Sequence, residues 1–396
     1  MPLFRHPLSV RPRSTALVQP DRRRLLGGAL ALPWLGWSTG AHAASSAPVR
    51  IGQSIALTGP LSDLGLAMHA GAQAAFADIN ARGGVNGRPI ELTTLDDGYD
   101  VARAVANVDK LLAQPDCLAL FNCMGTAMVA AVLPKVLQTG MPLFAPFTGA
   151  QLARVKGARN LFNIRASYAD EAQKVVQHLH TLGIQRIAVA YQANTFGREV
   201  LASVQQAMAQ LKLPDAVIAT VEDGASDALA SAQALAAANP EAVIVGLAGQ
   251  PALQFLKAFR PLRRGVNVYA LSVMGTSSSI KALGADATGM VVSQVVPLPN
   301  NAAAPVVREF QQAWKAAGAS AEPSHLALEG YINARVFAEA LQRAGSNPTR
   351  ASFTHATWEL KRLDLGGFEI NASVPERSAS RFVELTMVAP GGRFIR

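Results

Sequence analysis

Cysteine is scarce in this sequence, with only Cys117 and Cys123 among 396 residues. The stretch between them, Leu-Ala-Leu-Phe-Asn, has the character of a β-strand, and six positions at about 3.3 Å each would separate the two Cα atoms by roughly 20 Å. A disulfide requires Cα atoms within about 7 Å of each other. We therefore predict two free, buried thiols and no metal site or metal cofactor.

Histidines are also few, and the seven present form no catalytic or zinc-binding pattern. His178 and His180 are two positions apart on a predicted helix, so they face different directions and cannot act as an i, i+4 zinc pair. The chain contains no H-E-x-x-H, G-x-S-x-G or P-loop motif, and neither Gly83-Gly84 nor Gly366-Gly367 has G-x-G-x-x-G spacing. The acid pair Asp96-Asp97 ends a predicted strand, where a capping turn is the main alternative to a functional role. The sequence thus gives no sign of an enzyme, and an exported hydrolase stays only as a rival hypothesis.

Charge is low as well, since charged residues make up 16% of the chain and the net charge is +9. Residues 1–43 hold six arginines and one aspartate, so +5 of this charge falls there and +4 remains on the rest. No basic run is interleaved with aromatic residues, as a nucleic-acid-binding surface would require. We therefore expect no nucleic-acid partner.

The N-terminal 43 residues have the pattern of an export signal. Arg22-Arg23-Arg24 precedes a short apolar run over 25–36, and Ala41-His42-Ala43 matches an A-x-A cleavage site. The apolar run is too short to span a bilayer comfortably, although an uncleaved anchor is the alternative. Adjacent arginines before a weakly apolar core favour the twin-arginine route. The mature protein is expected to start near Ala44 in the periplasm, without a lipid anchor because no cysteine lies at the cleavage site.

From Val49 onward, short apolar runs alternate with longer amphipathic ones. This alternation predicts a parallel sheet with helices on both faces. The alternation of predicted strands and helices starts again after an extra segment at Asn160–Ser167, so we expect two α/β units of similar size in tandem. Helices are also predicted over 302–317 and 324–344. The second unit alone cannot bury the apolar faces of all these helices, so we expect some of them to return to the first unit.

The most distinctive loop reads RGGVNGRPIELTTLDDG, over residues 82–98. Gly83, Gly84 and Gly87 permit positive φ, and Pro89 fixes the entry to the next strand. On composition alone, this loop is a tight connection between a helix and a strand.

Small hydroxyl residues follow three predicted strands of the first unit, in Thr58–Ser62, Gly125-Thr126 and Phe147–Gly149. In open α/β sheets, ligands bind beyond the carboxyl ends of the strands, where helix N-termini offer free N–H groups. Each hydroxyl taken singly is more often a helix cap. Three at successive strand ends predict an anion site that accepts a carboxylate without a counter-arginine.

Several segments together resemble the type I periplasmic binding proteins, specifically the Leu/Ile/Val-binding group that feeds ABC importers. The segments that carry the resemblance cover nearly the whole mature chain in family order and are residues 51–65, 71–97, 141–153, 160–167, 282–292 and 328–341. The GGVNGRPI loop is the most specific of them.

The resemblance implies an α/β fold with two Rossmann-like, doubly wound lobes joined by a three-crossing hinge that closes on a ligand. The N-terminal lobe is expected over 44–164 plus 298–360, and the C-terminal lobe over 165–297 plus 361–396. It also implies a periplasmic monomer that captures a small molecule and delivers it to an ABC permease in the inner membrane. A periplasmic sensor for a membrane signalling protein is the alternative that the sequence leaves open.

The family's ligand contacts transfer onto this chain position by position. The resemblance assigns the ligand carboxylate to Thr126 with Gly125, and a second contact to Phe147 and Thr148. The remaining pocket positions fall on Leu64, Phe196, Gly249 and Gln250, with Gly249 replacing a tyrosine wall and so enlarging the pocket.

One departure from the family concerns the amino group of the ligand. Amino-acid binders place an acid after the strand at 266–273, whereas this chain has Ala-Leu-Ser-Val-Met-Gly-Thr over 270–276, with Val273 in the relevant region. A buried ammonium without a partner would cost several kcal/mol. We therefore predict that the ligand is not a standard α-amino acid. An aromatic, hydroxy or branched-chain acid, or a neutral amide, fits better.

Overall fold

The computed structural model describes residues 47–374 and 377–396, which form two α/β lobes. The predicted export signal and cleavage site lie outside the described residues. Among the residues described, no helix is both long enough and apolar enough to cross a membrane.

The first lobe is built on a five-stranded sheet. Its strands are β1 (Val49–Ile55), β2 (Ile90–Asp96), β3 (Cys117–Phe121), β4 (Leu143–Phe144) and β5 (Leu161–Phe162). They run parallel in the order β2-β1-β3-β4-β5. The connecting helices are α1 (Ser62–Ala81), α2 (Val101–Leu112) and α3 (Thr126–Thr139).

The second lobe has a seven-stranded sheet. Its strands are β6 (Ile187–Gln192), β7 (Val217–Val221), β8 (Ala242–Gly246), β9 (Asn267–Ala270), β10 (Val291–Gln294), β13 (Glu384–Val388) and β14 (Phe394–Ile395). The order is β14-β13-β10-β9-β8-β6-β7, with β13 antiparallel to β10 and to β14. The helices of this lobe are α4 (Tyr168–Thr181), α5 (Thr195–Gln210), α6 (Ala228–Ala237), α7 (Gly249–Leu262) and α8 (Ser277–Leu283).

The chain returns to the first lobe after β10. The returning helices are α9 (Pro305–Ala316), α10 (His325–Ala344) and α11 (Arg350–Trp358), followed by a hairpin of β11 (Leu363–Asp364) and β12 (Glu369–Ile370). Residues of α9, α10 and α11 share one apolar core with β1, β3 and α1, so these helices pack on the first lobe. The helix α11 and the hairpin were not predicted.

The helices α10 and α1 pack with their backbones in close contact, because glycines lie at the two positions where they cross. A Cβ on Gly71 would lie 1.8 Å from the carbonyl oxygen of Ala327, and one on Gly330 would lie 2.0 Å from that of Met68. Side chains at these two positions would force the helices apart.

Three segments therefore connect the lobes, at 163–167, 295–304 and 371–383. Backbone bonds from Ala379 to Asn163 and from Ser380 to Ile164 place the third connection beside the first. The apolar side chains of Leu365, Phe368 and Ile370 pack in the first lobe's core. We accordingly propose that the third crossing lies near 379–383 rather than at the predicted limit of 360/361. The other lobe limits stay predictions.

The RGGVNGRPI loop is the predicted tight turn. Gly83, Gly84, Asn86 and Gly87 all have positive φ, and a Cβ on Gly84 would lie 2.1 Å from the carbonyl oxygen of Arg88. The loop leads into the amino end of β2, so it lies opposite the carboxyl ends of the strands. Cys117 and Cys123 are buried, free thiols, as predicted.

Candidate ligand-binding site

A narrow cavity, with about 20 Å³ of free space, lies where the carboxyl end of the first sheet meets the second lobe. The lining side chains from the first lobe are Leu61, Leu64, Tyr99, Met124, Gly125, Thr126 and Phe147, and those from the second lobe are Tyr168, Phe196, Ala248 and Val273. The walls are mostly apolar, and one continuous hydrophobic cluster contains residues of both lobes. The lobes therefore enclose this space together.

The polar end of the cavity is a pair of threonines. Thr126 is the first residue of α3, and its Oγ1 lies 2.8 Å from Oγ1 of Thr148. The Thr148 hydroxyl also accepts a hydrogen bond from the amide of Ala150 at 3.1 Å, which fixes its orientation. The first i to i−4 bond of α3 is donated by Val129, so the amides of its first turn have no partner within the helix. Hydroxyl and amide groups thus converge where a carboxylate is expected to bind.

Backbone strain places an aromatic ring beside this helix terminus. Tyr99 adopts a φ of 61°, and its amide donates to Oδ1 of Asp97 at 2.9 Å, which stabilises the turn. Gly125 has a φ of 97°, and a Cβ there would lie 3.1 Å from Cε2 of Tyr99 and 2.8 Å from Sδ of Met128. Glycine at 125 is therefore required, both by its conformation and by the packing of Tyr99.

Burial raises the pKa of Tyr99, and nearby Tyr168 and Asp223 raise it further. Its hydroxyl is therefore neutral at physiological pH. A neutral phenol can donate a hydrogen bond to a ligand without repelling an anion.

Asp96 holds the loop that carries Leu61 into the cavity. Its carboxylate accepts hydrogen bonds from the amides of Leu57 and Thr58 at 2.9 and 3.1 Å, and from the Thr58 hydroxyl at 2.6 Å. The Thr58 hydroxyl, followed by the Gly98, Leu57 and Thr58 amides, holds the pKa of Asp96 well below its usual range. The Thr58 hydroxyl is therefore bonded to Asp96 within the loop. Of the three hydroxyl positions predicted for the anion site, Thr126 and Thr148 remain.

The second-lobe wall is ordered by a buried carboxylate. Glu171 accepts hydrogen bonds from the Ser272 amide at 2.8 Å and from the Ser293 hydroxyl at 2.6 Å. Ser272 begins the short turn that presents Val273 to the cavity. On the same wall, the rings of Tyr168 and Phe196 meet edge to face, with centroids 5.4 Å apart.

An arginine lies behind the aromatic walls. The guanidinium carbon of Arg165 is 5.2 Å from the ring centroid of Phe147 and 5.9 Å from that of Tyr168. Burial lowers the pKa of Arg165, but Glu329 and Glu171 outweigh this effect and the pKa is raised. Arg165 is therefore fully charged, and it does not line the cavity itself.

Hydrogen bonds join the lobes around the cavity. The Asp63 carboxylate, in the first turn of α1, accepts from the hydroxyl of Thr276 at 2.8 Å and from that of Ser278. The amide of Gln151 donates to Glu199 at 2.8 Å. These contacts require the lobes to be closed.

The structure brings most of the predicted ligand-binding positions together. Leu64, Gly125, Thr126, Phe147, Phe196 and Val273 line the cavity, and Thr148 lies directly behind Thr126. Gly249 and Gln250 do not line it. Gly249 packs against the loop at Leu61, and the Leu61 side chain fills the space that the missing tyrosine was predicted to leave open. Gln250 is exposed on α7.

Five lining residues were missed by sequence reasoning, namely Leu61, Tyr99, Met124, Tyr168 and Ala248. Several lie close to motifs that the sequence had singled out: Tyr99 comes two residues after the Asp96-Asp97 pair, and Met124 directly precedes the Gly125-Thr126 step. Proximity to those motifs is the signal that could have revealed them.

No aspartate or glutamate lines the cavity within the described residues. Two acids that hold the walls already have other partners, since Asp97 accepts from Ser54 and Tyr99, and Glu171 accepts from Ser272 and Ser293. No cluster of described residues is suited to hold a metal ion. A ligand in this cavity would meet hydroxyls, amides and apolar side chains.

The comparisons with known proteins agree with this architecture. The family model described as periplasmic binding protein matches residues 48–391. A substrate-binding periplasmic protein from Ralstonia solanacearum is 31% identical, with a TM-score of 0.80 over 88% of this chain and 99% of that one. A possible leucine/isoleucine/valine-binding protein from Rhodopirellula baltica SH 1 is 27% identical, with a TM-score of 0.82 over 90% and 98%.

A curated relative is similar over most of its length. Leu/Ile/Val-binding protein homolog 7 of Brucella abortus (strain 2308) is 24% identical over 317 residues, which cover 76% of this chain and 78% of the relative. The two-lobed fold, the interlobe cavity and these matches lead to one conclusion. The chain belongs to the type I periplasmic binding proteins of the Leu/Ile/Val-binding-like family, which are non-enzymatic solute-binding components of ABC importers.

Proposed function

We propose that this protein captures a compact apolar carboxylate without an α-ammonium group, such as an aromatic, hydroxy or branched-chain acid. A neutral amide of similar size is the alternative ligand. The ligand is held in the interlobe cavity with its acid group at Thr126 and Thr148 and its apolar body against Leu64, Phe196 and Val273. The observation that carries the proposal is a cavity with convergent hydroxyl groups and no lining acid among the described residues.

The lining of the cavity supports a ligand with an acid group and an apolar body. The free space in the cavity, about 20 Å³, is close to that needed by one water molecule and far below the roughly 300–1,000 Å³ of small-molecule sites, so a ligand requires the lobes to part or the apolar walls to shift. An α-ammonium there would lose its hydration without gaining a charged partner, at a cost of several kcal/mol. A carboxylate, in contrast, would gain charge-assisted hydrogen bonds from the threonines and the first turn of α3.

A ligand panel tests the proposal directly. Thermal shift and calorimetry on the mature chain would compare 3-methylbutanoate, 2-hydroxy-4-methylpentanoate, 4-methyl-2-oxopentanoate, benzoate and isobutyramide with leucine, valine and phenylalanine. We expect stabilisation by one or more of the first group, since a ligand at 100 times its Kd stabilises by about 2.7 kcal/mol. Tight, preferential binding of leucine or valine would contradict the proposal.

A gain of amino-acid binding provides a sharper test. Val273→Glu places a carboxylate where the cavity lacks one, so we expect leucine to stabilise this variant and not the wild type. Val273→Gln is the matched control, because it has the same shape without the charge. Leucine binding to both variants, or to neither, would show that the missing acid does not decide the ligand class.

The carboxylate subsite has its own prediction. Thr126→Ala is expected to weaken binding of the best acid in the panel by about 1–2 kcal/mol, the scale of a lost hydrogen bond. Thr139→Ala, at the other end of α3, removes a hydroxyl that bonds only to nearby backbone groups, the carbonyls of Lys135 and Val136 and the amide of Met141, and is expected to leave binding unchanged. An unchanged affinity in Thr126→Ala would remove this residue from the site.

We further propose export by the twin-arginine route, on the basis of Arg22-Arg23-Arg24 and the weakly apolar run that follows. The mature protein would act as a monomer that presents its closed form to an inner-membrane permease. Replacing Arg22 and Arg23 with lysine is expected to block export, as judged by immunoblotting of periplasmic fractions. Continued export in a strain lacking the twin-arginine translocase would contradict this route.

A further inference from the structure

Arg165 is buried where the two lobes meet. It lies in the connection 163–167, and its side chain is 2% exposed. Its Nη2 donates to Oε1 of Glu171 on α4 of the second lobe at 3.2 Å, and its Nη1 lies 3.6 Å from Oε1 of Glu329 on α10 of the first lobe. One guanidinium thus pairs with an acid from each lobe.

The same guanidinium contacts the supports of the cavity wall. Nη2 also donates to the hydroxyl of Ser272, the residue that precedes Val273. The faces of Phe147 and Tyr168, which line the cavity from opposite lobes, lie against its charge. Arg165 is therefore in contact with both lobes and with the residues that shape the ligand space, although it does not reach the ligand space itself.

We propose that Arg165 is a positioning residue for ligand capture, which joins the lobes in their closed arrangement through Glu329 and Glu171 and thereby fixes the aromatic walls and the Val273 turn. The proposal goes beyond the ligand class, because it concerns closure and holds for any occupant of the cavity.

The two carboxylates are held differently, and this indicates how the lobes separate. Glu171 accepts three further hydrogen bonds within the second lobe, from the Ser272 amide, the Ser272 hydroxyl and the Ser293 hydroxyl. Glu329 Oε1 has no hydrogen-bond partner among the described residues, nor has Nη1 of Arg165, since 3.6 Å is an ion-pair distance but too long for a hydrogen bond. On opening, Arg165 should remain with Glu171 and leave Glu329.

The chemistry of the position requires arginine. A planar guanidinium presents donors along separate edges and stacks on aromatic faces, so it can serve two carboxylates and two rings at once. A lysine ammonium is a point charge on a flexible stem and would satisfy only part of this set. Arg165→Lys is therefore expected to be intermediate between the wild type and an uncharged variant.

Interlobe distances test the proposal without any ligand. Nitroxide labels at Ala131→Cys on α3 and Gln206→Cys on α5 would report the separation of the lobes by pulsed electron resonance, because both sites are exposed and the native cysteines are buried. We expect Arg165→Met to lower the ratio of closed to open molecules at least tenfold. Arg165→Lys should restore part of the closed population. An unchanged distance distribution in Arg165→Met would overturn the proposal.

Arg335→Met is the matched control. Arg335 pairs with Glu309 inside the first lobe, on the same helix as Glu329, so its loss should not change the interlobe distance. An equal shift in this variant would show a general effect of lost charge and overturn the proposal.

A double-mutant cycle checks the route of the coupling. In a Glu329→Gln background, Arg165→Met should change the closed population by less than half of its effect in the wild type. Fully additive effects would overturn the pairing with Glu329. If Arg165→Met fails to fold, Glu329→Gln alone is measured; a shift toward open molecules supports the proposal and an unchanged distribution overturns it.

Discussion

At the scale of single residues, α10 begins with a histidine that folding keeps neutral. His325 is buried, its Nε2 has no hydrogen-bond partner among the described residues, and its ring meets Phe394 edge to face at 5.3 Å. Burial lowers the pKa of His325 to about 3, whereas its ordinary value is about 6.5. The folded chain therefore excludes a proton that the unfolded chain binds.

This difference makes the protein sensitive to acid. Because the folded pKa is depressed, the stabilisation is present above pH 6.5 and is lost as the pH falls toward 3. Relative to His325→Leu, the wild type should lose about 2 kcal/mol of its free energy of unfolding between pH 7 and pH 5. Urea titrations at a series of pH values measure this, and exposed His355→Leu serves as the control. Parallel pH profiles for wild type and His325→Leu would contradict the assignment.

At the scale of elements, the loop after β1 depends on a carboxylate from β2. Asp96→Ala removes the acceptor for the Leu57 and Thr58 amides and for the Thr58 hydroxyl. We expect faster amide hydrogen exchange at both residues, and weaker binding of the best acid in the panel, because Leu61 loses its fixed position. Asp100→Ala is the control, since it removes only the cap of α2, where Asp100 accepts from the Arg103 amide. Unchanged exchange at residues 57 and 58 would refute this role.

Elements were also the level at which the sequence was most informative. The apolar patterns predicted two α/β units and helices over 302–317 and 324–344, and the structure has these helices as α9 (Pro305–Ala316) and α10 (His325–Ala344). Parallel strands buried on both faces give continuous apolar runs, and the helices between them give periodic ones, so local pattern suffices there. The short hairpin of β11 and β12 was missed because two-residue strands carry no periodicity.

The cavity was harder to predict, for physical reasons. Thr126 and Thr148 follow strands of one sheet, so topology alone brings them together. Tyr99 reaches the cavity through a left-handed backbone that no propensity indicates, and Tyr168 reaches it only because the lobes close. Gly249 was assigned to the pocket from the family resemblance, whereas the fold places it against Leu61. Contacts between lobes depend on tertiary geometry, which a linear pattern does not contain.

At the scale of the whole molecule, Gly249 is a point where the two lobes approach closely. It has a φ of 60°, and a Cβ there would lie 2.6 Å from Cδ2 of Leu61 on the opposite lobe. Gly249→Ala should weaken binding of the best acid about tenfold, since the new methyl group overpacks against Leu61 only when the lobes are closed, and overpacking costs roughly 1–3 kcal/mol. Calorimetry measures the affinity, and the nitroxide pair at 131 and 206 measures the separation. Gly265→Ala, where a Cβ meets nothing within 4 Å, is the control. Equal affinities in the two variants would exclude this effect.

The shared walls of the cavity also govern the kinetics of release. Residues of both lobes line the space, so an occupant cannot escape while Asp63 is bonded to Thr276 and the aromatic walls are in contact. The dissociation rate can then be no faster than the rate at which the lobes part, whatever the chemistry of the occupant. Changes that stabilise closure should slow release by the same factor for every ligand, whereas changes at Thr126 should discriminate among ligands. A set of dissociation rates therefore separates the residues that hold the protein closed from those that recognise what it carries.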